Sequence, residues 1–438
     1  MNRRLLRALY FCVALAALMG ITGLIARTRV TGATKDDLAG ALGQRLGVPV
    51  SVGRVDLDLA SWLVLRPTIS LGDVAIGNPP GFRGQYLLTA GRVSVRVALI
   101  PLLSRRIEMR SIVMEAPRIA VESDAHGGTN VEAFLKRLSA PRPLGGGFRG
   151  PAGIDEFRIS GGQARIVGAP VRIDAIDLRV RNLAKGAACP LEVSAKLFDD
   201  AYEMRLSGSA GPFVFPVLPI KATLKLTTAS AKATLEASIQ GDLFSNVAGT
   251  GKLTLSALQS QRLTIDGEAP ALFSARKPLS APVFHLQVLH AKLKLGQGEW
   301  AGAADFHMRG TTISGASRGS LHGVDVSALA GGRLHGVLDV PAYTLLFTGN
   351  SIEAEARFSV TKGRIVVPDL PFTSLTGDLS VQQARLEVSG IALDSPALKV
   401  TGNGTIGFDH SIHFDLQDSG GGAMTITGTL DRPQIERR

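Results

Sequence analysis

The pattern of apolar and polar residues changes its period near residue 50. Before this point Leu38, Leu42 and Leu46 recur every four residues, which places them on one face of a helix that Gly47 ends. From Val50 onward the apolar residues recur every second residue instead, as they do in a half-buried strand. The sequence therefore predicts a short amphipathic helix followed by strands.

Strand-like alternation then continues for most of the chain. Val93, Val95 and Val97 point one way, whereas Ser94 and Arg96 point the other. Similar alternation occurs in 176–181, 220–227, 233–240 and 290–295. Turn residues interrupt these runs, so we expect an antiparallel meander with one wet face and one apolar face.

Two local signals refine this picture. Thr129 and Glu132 have capping-box spacing, which predicts a second short helix. The alternation changes phase between Val288 and Ala291, and a slip at Leu289 predicts a bulge or a tight turn, because a shift of one residue exchanges the two faces.

The N-terminal segment has membrane character. Residues 8–26 carry no charge and are flanked by arginines, and 19 residues at about 1.5 Å each approach the ~30 Å hydrocarbon core of a bilayer. A cleaved signal peptide is the alternative, but its apolar region is shorter, and Leu24 stands where a small residue is needed. We predict an uncleaved transmembrane helix over 8–26 after a tail at 1–7. The flanking charges do not decide its orientation.

Proline and glycine concentrate in 140–153, where we predict a linker. It separates an N-terminal β domain with two short helices, 27–139, from a repetitive β region, 154–438.

Composition limits what the apolar face can do. Apolar residues make up 45% of the 438-residue chain, but aromatic residues only 5%. A lipid-exposed barrel needs aromatic girdles and is disfavoured. A two-sheet sandwich remains the alternative to the fold we favour, which is mostly β: an elongated antiparallel sheet curled into an open trough or groove.

Charge and cysteine content exclude other classes. The formal charge is +11, but the basic residues are scattered, so we expect no nucleic-acid partner and favour contact with anionic lipid headgroups. Cys12 and Cys189 lie in different segments, and we expect no disulfide between them.

Two motif matches lack the context that chemistry needs. Gly315, Ser317 and Gly319 fit a nucleophile elbow, which requires a strand-to-helix turn, but the surroundings are β and rich in glycine. The G-x-G-x-x-G run at 402–407 should be followed by a helix, but the alternation predicts that strand continues through Phe408.

His410 and His413 fall on opposite faces of a predicted strand, and we find no zinc-type spacing among the histidines. We expect no catalytic, cofactor or metal site, and no enzyme.

The order of several motifs resembles the AsmA family of bacterial envelope proteins. At the N-terminal end these are Gly47-Val48-Pro49-Val50-Ser51-Val52-Gly53, Leu71-Gly72-Asp73-Val74, Ile112-Val113-Met114-Glu115-Ala116-Pro117 and Gly127-Gly128-Thr129-Asn130-Val131. At the other end, within about 340–438, they are Thr361-Lys362-Gly363-Arg364-Ile365, Leu375-Thr376-Gly377-Asp378-Leu379 and Gly428-Thr429-Leu430-Asp431-Arg432-Pro433.

This resemblance implies an inner-membrane anchor with a cytoplasmic N-terminus, a periplasmic β domain, and a role in outer-membrane assembly through bridge-like phospholipid movement along an apolar groove. It supplies no catalytic residues. We therefore expect phospholipid acyl chains and the inner membrane as partners, with outer-membrane or assembly-machinery proteins as further candidates.

An assembly or targeting factor for outer-membrane proteins that carries no lipid is the alternative function. The residues that we expect to line the groove are Val93, Val95, Val97, Ile220, Leu224, Leu226, Leu235, Leu293 and Leu295.

Overall fold

A computed structural model describes residues 35–58, 61, 67–98, 109–124, 128–139, 153–168, 172–184, 187–212, 217–243, 245–260, 263–276, 283–309, 312–349, 351–366, 369–382, 385–429 and 432–437. Within these residues the chain is mostly β, as predicted, and forms 24 strands and three short helices. Two compact units divide it, one formed mainly by residues up to 229 and the other mainly by residues from 283 onward.

The first unit contains one run of hydrogen-bonded strands, which we call the first run. It comprises β1 (Val50–Asp58), β2 (Thr68–Gly77), β3 (Tyr86–Val97), β4 (Met109–Glu115), β5 (Arg118–Val121), β6 (Gly153–Ile166), β7 (Arg172–Ala184), β8 (Cys189–Leu197), β9 (Tyr202–Ala210) and β10 (Pro219–Thr228). Neighbours pair antiparallel except that β6 runs parallel to both β4 and β5. The alternation of residues did not predict this parallel pairing.

A crossover explains the parallel pairing, because parallel neighbours need a long connection that returns the chain to the same end. Helix α2 (Asn130–Ser139) lies in that connection, between β5 and β6. Its predicted capping box is confirmed: Thr129 N donates to Glu132 Oε2 at 3.1 Å, and Glu132 N donates to Thr129 Oγ1 at 3.3 Å. The strands on either side of 140–152 thus belong to one run.

Helix α1 (Lys35–Leu46) packs on the first three strands. Leu38 and Leu42 lie against a cluster that includes the buried Val52, Val74 and Val93, which confirms the predicted apolar face. The helix ends where Gly47 takes a positive φ of 72° and its N–H bonds the carbonyl of Gly43 at 2.7 Å. Arg137 of α2 also donates to the Gly47 carbonyl at 3.1 Å, which links the two helices.

The second unit contains an antiparallel second run, which consists of β14 (Val283–Leu295), β15 (Gly298–Arg309), β16 (Thr312–Asp325), β17 (Leu334–Thr348), β18 (Ser351–Ile365), β19 (Leu370–Gln382), β20 (Arg385–Asp394), β21 (Lys399–Gly407), β22 (Ser411–Asp418), β23 (Ala423–Thr429) and β24 (Arg432–Arg437). Helix α3 (Val326–Leu329) follows β16, and Asp325 caps it by accepting from Ser327 N. Strands β11 (Ala233–Asp242), β12 (Asn246–Ser260) and β13 (Leu263–Arg276) lie between the two runs in sequence.

Bulges appear where the alternation slips. The register between β14 and β15 shifts between Val288 and Ala291, and His290 has a φ of 45°, which confirms the bulge predicted at Leu289. Comparable shifts occur beside Gly161 and Gly390, which also take positive φ. Each bulge keeps the apolar residues of a strand on the same face after the slip.

Several predictions fall outside the described residues. These are the tail at 1–7, the transmembrane helix at 8–26 and nearly all of the linker at 140–153, whose last residue begins β6. Among the described residues, no helix combines the length and the apolar character needed to cross a membrane.

Candidate functional site

An apolar row crosses the first run from one strand to the next. Residues directly opposite on paired strands share a face of the sheet. The pairings place on one face Val55, Leu71, Val93, Met114, Ile159, Leu178, Val193, Leu206 and Leu224. Nine strands thus contribute one apolar side chain each, without a polar interruption, and we call this set the first apolar row.

The adjacent row, one residue along each strand, has the opposite character. Its members are Asp56, Ser70, Ser94, Val113, Arg158, Arg179, Glu192, Ser207 and Thr223. All are polar except Val113, and Arg179 Nε donates to Glu156 on the neighbouring strand at 2.6 Å. The first run therefore has one apolar face and one charged face.

The second run repeats this division. The residues in line across β15 to β24 are Gly302, Gly319, Tyr343, Ala356, Leu379, Val388, Gly404, Phe414, Ile426 and Ile435, which form the second apolar row. A parallel line of Ala304, Ser317, Leu345, Ala354, Val381, Leu386, Ile406 and Ile412 lies on the same face, with Ser317 as its single polar member.

The other face of the second run is polar from β17 to β24. Its members in line are Thr344, Glu355, Ser380, Glu387, Thr405, His413, Thr427 and Gln434. On β18 of this face, Arg357 Nε donates to Asp378 at 2.8 Å, and that carboxylate raises the pKa of the Arg357 guanidinium. The register thus separates an apolar face from a polar face from β17 to β24.

Aromatic side chains of the second run lie against glycines on the paired strand. A Cβ on Gly404 would lie 2.0 Å from the ring of Phe414, its cross-strand partner. The same arrangement pairs Phe347 with Gly315, Phe358 with Gly377 and Phe372 with Gly363. Because glycine has no side chain, each ring can lie directly against the backbone of the next strand.

Trp300 shows the same principle with a polar anchor. A Cβ on Gly302 would lie 2.9 Å from the indole carbon Cζ2, and a Cβ on Gly319 would lie 3.1 Å from Nε1. The indole N–H donates to the hydroxyl of Tyr343 at 2.5 Å, and that hydroxyl lies 2.8 Å from Ser317 Oγ. The polar atoms on this part of the apolar face therefore satisfy one another.

Short helices cover parts of both apolar faces. Helix α1 lies over the start of the first row, and Val326 of α3 joins a buried cluster with Leu338, Val360 and Leu393. Elsewhere the apolar face of the second run includes exposed side chains: Phe306 is 36% exposed, and Ile435 is 47% exposed. These side chains are accessible to an apolar ligand.

The predicted wall residues are all buried or half-buried. Val93 and Leu224 belong to the first apolar row, and Leu293 and Leu295 join a cluster around Trp300 in the second unit. The others occupy the half-buried or buried positions Val95, Val97, Ile220, Leu226 and Leu235. Their contact with lipid stays a prediction.

The motif matches prove to be strand segments. Residues 315–319 lie within β16 and pair with β15 and β17, so there is no elbow. The G-x-G-x-x-G run lies in β21, but β21 ends at Gly407, so the expectation that the strand continues through Phe408 was wrong. His410 occupies the following turn with a φ of 68° rather than a strand, because the turn to β22 needs a left-handed residue there.

Two features were missed from the sequence. Cross-strand contacts between glycine and aromatic rings depend on register, which alternation alone does not give. A cluster of His285, Asp305 and His307 forms across β14 and β15. The spacing of Asp305 and His307, two apart in a strand, is the one signal that places part of this cluster on one face.

Comparison with known protein families identifies one match. The model of the AsmA family matches residues 13–179, which confirms the resemblance over the N-terminal part, whereas the C-terminal elements lie outside that match. No curated protein and no solved structure gives a significant match to the chain.

Proposed function

Residues 13–179 match the AsmA family, and from that premise we propose that this chain transports phospholipid between bacterial membranes. In this proposal the 8–26 segment anchors the protein in the inner membrane with a cytoplasmic N-terminus. The β region extends into the periplasm, and acyl chains lie along the apolar rows. The family is consistent with a role in the cell envelope; the transport function is our inference.

The observation that carries this proposal is the continuity of the apolar rows. With strands about 4.8 Å apart, the first row spans roughly 38 Å and the second roughly 43 Å. An acyl chain covers about half of the ~30 Å bilayer core, or roughly 15 Å. Each row therefore offers more than the length of one lipid tail, while the opposite face keeps its charges in water.

The partially exposed side chains support the same function. Burying apolar surface yields roughly 25 cal/mol per Å², so exposed residues such as Phe306 and Ile435 gain stability when an acyl chain covers them. Since this gain is spread along the row and does not depend on one deep pocket, a lipid tail can move from strand to strand at modest cost.

A matched set of variants tests lipid binding in the full chain, purified in mild detergent. Leu224→Asp and Ile426→Asp place a carboxylate on the first and second apolar rows, whereas Thr223→Asp and Thr427→Asp place it on the opposite face one residue away. We expect co-purifying phospholipid, measured by mass spectrometry, to fall at least about fivefold in the first pair, since a charge in an apolar surface is costly.

The controls should retain their lipid, and circular dichroism should show that all four variants keep their β content. Wild-type protein without phospholipid, or equal loss in both pairs, would contradict lipid transport. Crosslinks to outer-membrane or assembly-machinery proteins without any lipid would instead favour the alternative, an assembly or targeting factor.

The proposed topology has its own test. Cysteines introduced at exposed polar-face positions such as Glu387 should react with a membrane-impermeant maleimide once the outer membrane is permeabilised, with the inner membrane intact. Labelling that requires lysis of the inner membrane would contradict a periplasmic β region.

A further inference from the structure

Three metal-ligating side chains meet on the polar face of the second run. His285 on β14 lies directly opposite His307 on β15, and Asp305 precedes His307 by two residues on the same face. Twenty residues separate His285 from Asp305 in sequence, and the pairing of β14 with β15 brings them together. Both strands belong to the second unit, so the cluster is built by one hairpin.

The three side chains converge on one carboxylate oxygen. His285 Nε2 lies 2.9 Å from Asp305 Oδ1, and His307 Nε2 lies 2.8 Å from the same atom. The two imidazole rings stack with their centroids 4.1 Å apart and their planes 8° from parallel. Two ring nitrogens and a carboxylate oxygen thus face one small volume.

A fourth residue holds the carboxylate in place. Gln287 Nε2 donates to Asp305 Oδ2 at 2.9 Å, which leaves Oδ1 to the histidines. The Gln287 amide thus fixes the orientation of the Asp305 side chain.

The cluster is also open to solution. The side chains of His285 and Asp305 are 32% and 30% exposed, and that of His307 is 50% exposed. An ion can enter directly from water, and a water molecule can complete its coordination.

From this arrangement we propose that His285, Asp305 and His307 bind one divalent transition-metal ion of the Zn²⁺ type. Two imidazole nitrogens and a carboxylate oxygen suit Zn²⁺, with water as the fourth ligand. Gln287 acts as the outer partner that orients the carboxylate. The site lies on the face opposite the apolar rows, so it is separate from the proposed lipid surface.

The distances fit after a small adjustment. Bonds of about 2.0–2.1 Å in a tetrahedral site put ligand atoms roughly 3.3 Å apart, about 0.5 Å more than the present nitrogen-to-oxygen distances. An ion bound in the plane of both rings also requires the stacked rings to tilt toward each other. Cross-strand partners have Cβ atoms about 4.5–5.5 Å apart, which leaves room for this rotation.

The same run provides an internal control. His413 Nε2 lies 3.0 Å from Asp415 Oδ2, and both side chains are exposed on one strand, two residues apart like Asp305 and His307. The Asp415 neighbours across β21 and β23 are Asn403 and Thr425, so this pair lacks a second histidine. If an exposed histidine–aspartate pair were sufficient, both places would bind metal equally.

Calorimetric titration with Zn²⁺ tests the proposal on the full chain, purified without a polyhistidine tag and stripped with a chelator. We expect one Zn²⁺ per chain. His285→Ala and His307→Ala should each lower the affinity at least about 100-fold as direct ligands, and Gln287→Ala should lower it roughly 10-fold as an outer partner. His413→Ala should leave it unchanged.

Co²⁺ absorption provides a readout that does not depend on affinity, because a low-coordinate site with histidine ligands gives intense visible bands. These bands should appear in wild-type protein and in His413→Ala, and should vanish in His285→Ala and His307→Ala, with circular dichroism unchanged. No saturable Zn²⁺ binding by the wild type would overturn the proposal. Equal affinity in wild type and the two histidine variants would overturn it as well.

Discussion

The first run, β1 to β10, and the second run, β14 to β24, each separate an apolar face from a polar face, but they build the apolar row differently. In the first row the members are aliphatic residues and one methionine, each facing the next directly. In the second row, aromatic rings such as Phe414 lie over glycines such as Gly404. Direct aliphatic contacts and rings over glycine are thus two ways to make one continuous apolar surface.

The two runs also differ in how a connecting helix is held against the sheet. A buried polar centre fixes the first run: Asn130, fully buried, bonds Asn78, Ala120 and Glu122 and ties α2 to the sheet. In the second run, α3 contributes Val326 to a purely apolar cluster. Helix α2 is therefore held by directional hydrogen bonds, and α3 by close packing.

The largest effect should come from breaking that polar centre. Asn130→Ala removes the partners of the Ala120 carbonyl and the Glu122 N–H inside a buried site, so we expect a loss of about 3 kcal/mol in local stability. Hydrogen exchange with mass spectrometry on peptides from 109–139 measures this loss. Asn246→Ala, at an exposed position of β12, serves as the control and should change little. Equal exchange in both variants would remove the distinction between the two runs.

A smaller effect is expected from filling the space beneath a ring. Gly404→Ala puts a Cβ about 2.0 Å from the Phe414 ring, and the resulting displacement should cost about 2 kcal/mol. Gly91→Ala in the first run meets nothing within 4 Å and should stay within about 0.5 kcal/mol of wild type. Hydrogen exchange over 399–418 and 86–97 compares the two, and similar costs at both glycines would argue against ring-over-glycine packing.

The smallest effect concerns the polar anchor of Trp300. Tyr343→Phe removes the hydroxyl that accepts from the indole N–H, which should cost about 1 kcal/mol. With Trp62 replaced by Phe, emission reports Trp300 alone, and the urea midpoint of its spectral shift should fall. Tyr202→Phe, at an exposed position of the first run, should not move that midpoint. An unchanged midpoint in Tyr343→Phe would show that the hydroxyl is not needed.

Local features of the fold were predictable where neighbouring residues decide them. The apolar face of α1, the capping box at Thr129 and Glu132, and the bulge beside Leu289 depend on contacts within a few residues, and the structure confirms each of them. The alternation of Val93 and its neighbours predicted a strand and its apolar face for the same reason. Successive side chains in a strand point to opposite faces of the sheet, whichever strand it pairs with.

Features that depend on the pairing of distant segments could not be predicted. The parallel pairing of β6 with β4 is set by the crossover through α2, and alternation is the same for either direction. The contact of His285 with Asp305 and that of Phe414 with Gly404 require a known register. Alternation did place Leu224 on the apolar face, where it is buried, but the continuity of its row across nine strands appears only once all the pairings are assembled.

Site-specific photocrosslinking in intact cells tests the central claim, that lipid moves along the apolar rows, most directly. A photoreactive amino acid replaces Leu178 or Ile426 on the two apolar rows, and Arg179 or Thr427 on the opposite faces one residue away. We predict phospholipid adducts at Leu178 and Ile426 and none at Arg179 or Thr427. Adducts at all four positions, or at none, would contradict transport of lipid along these rows.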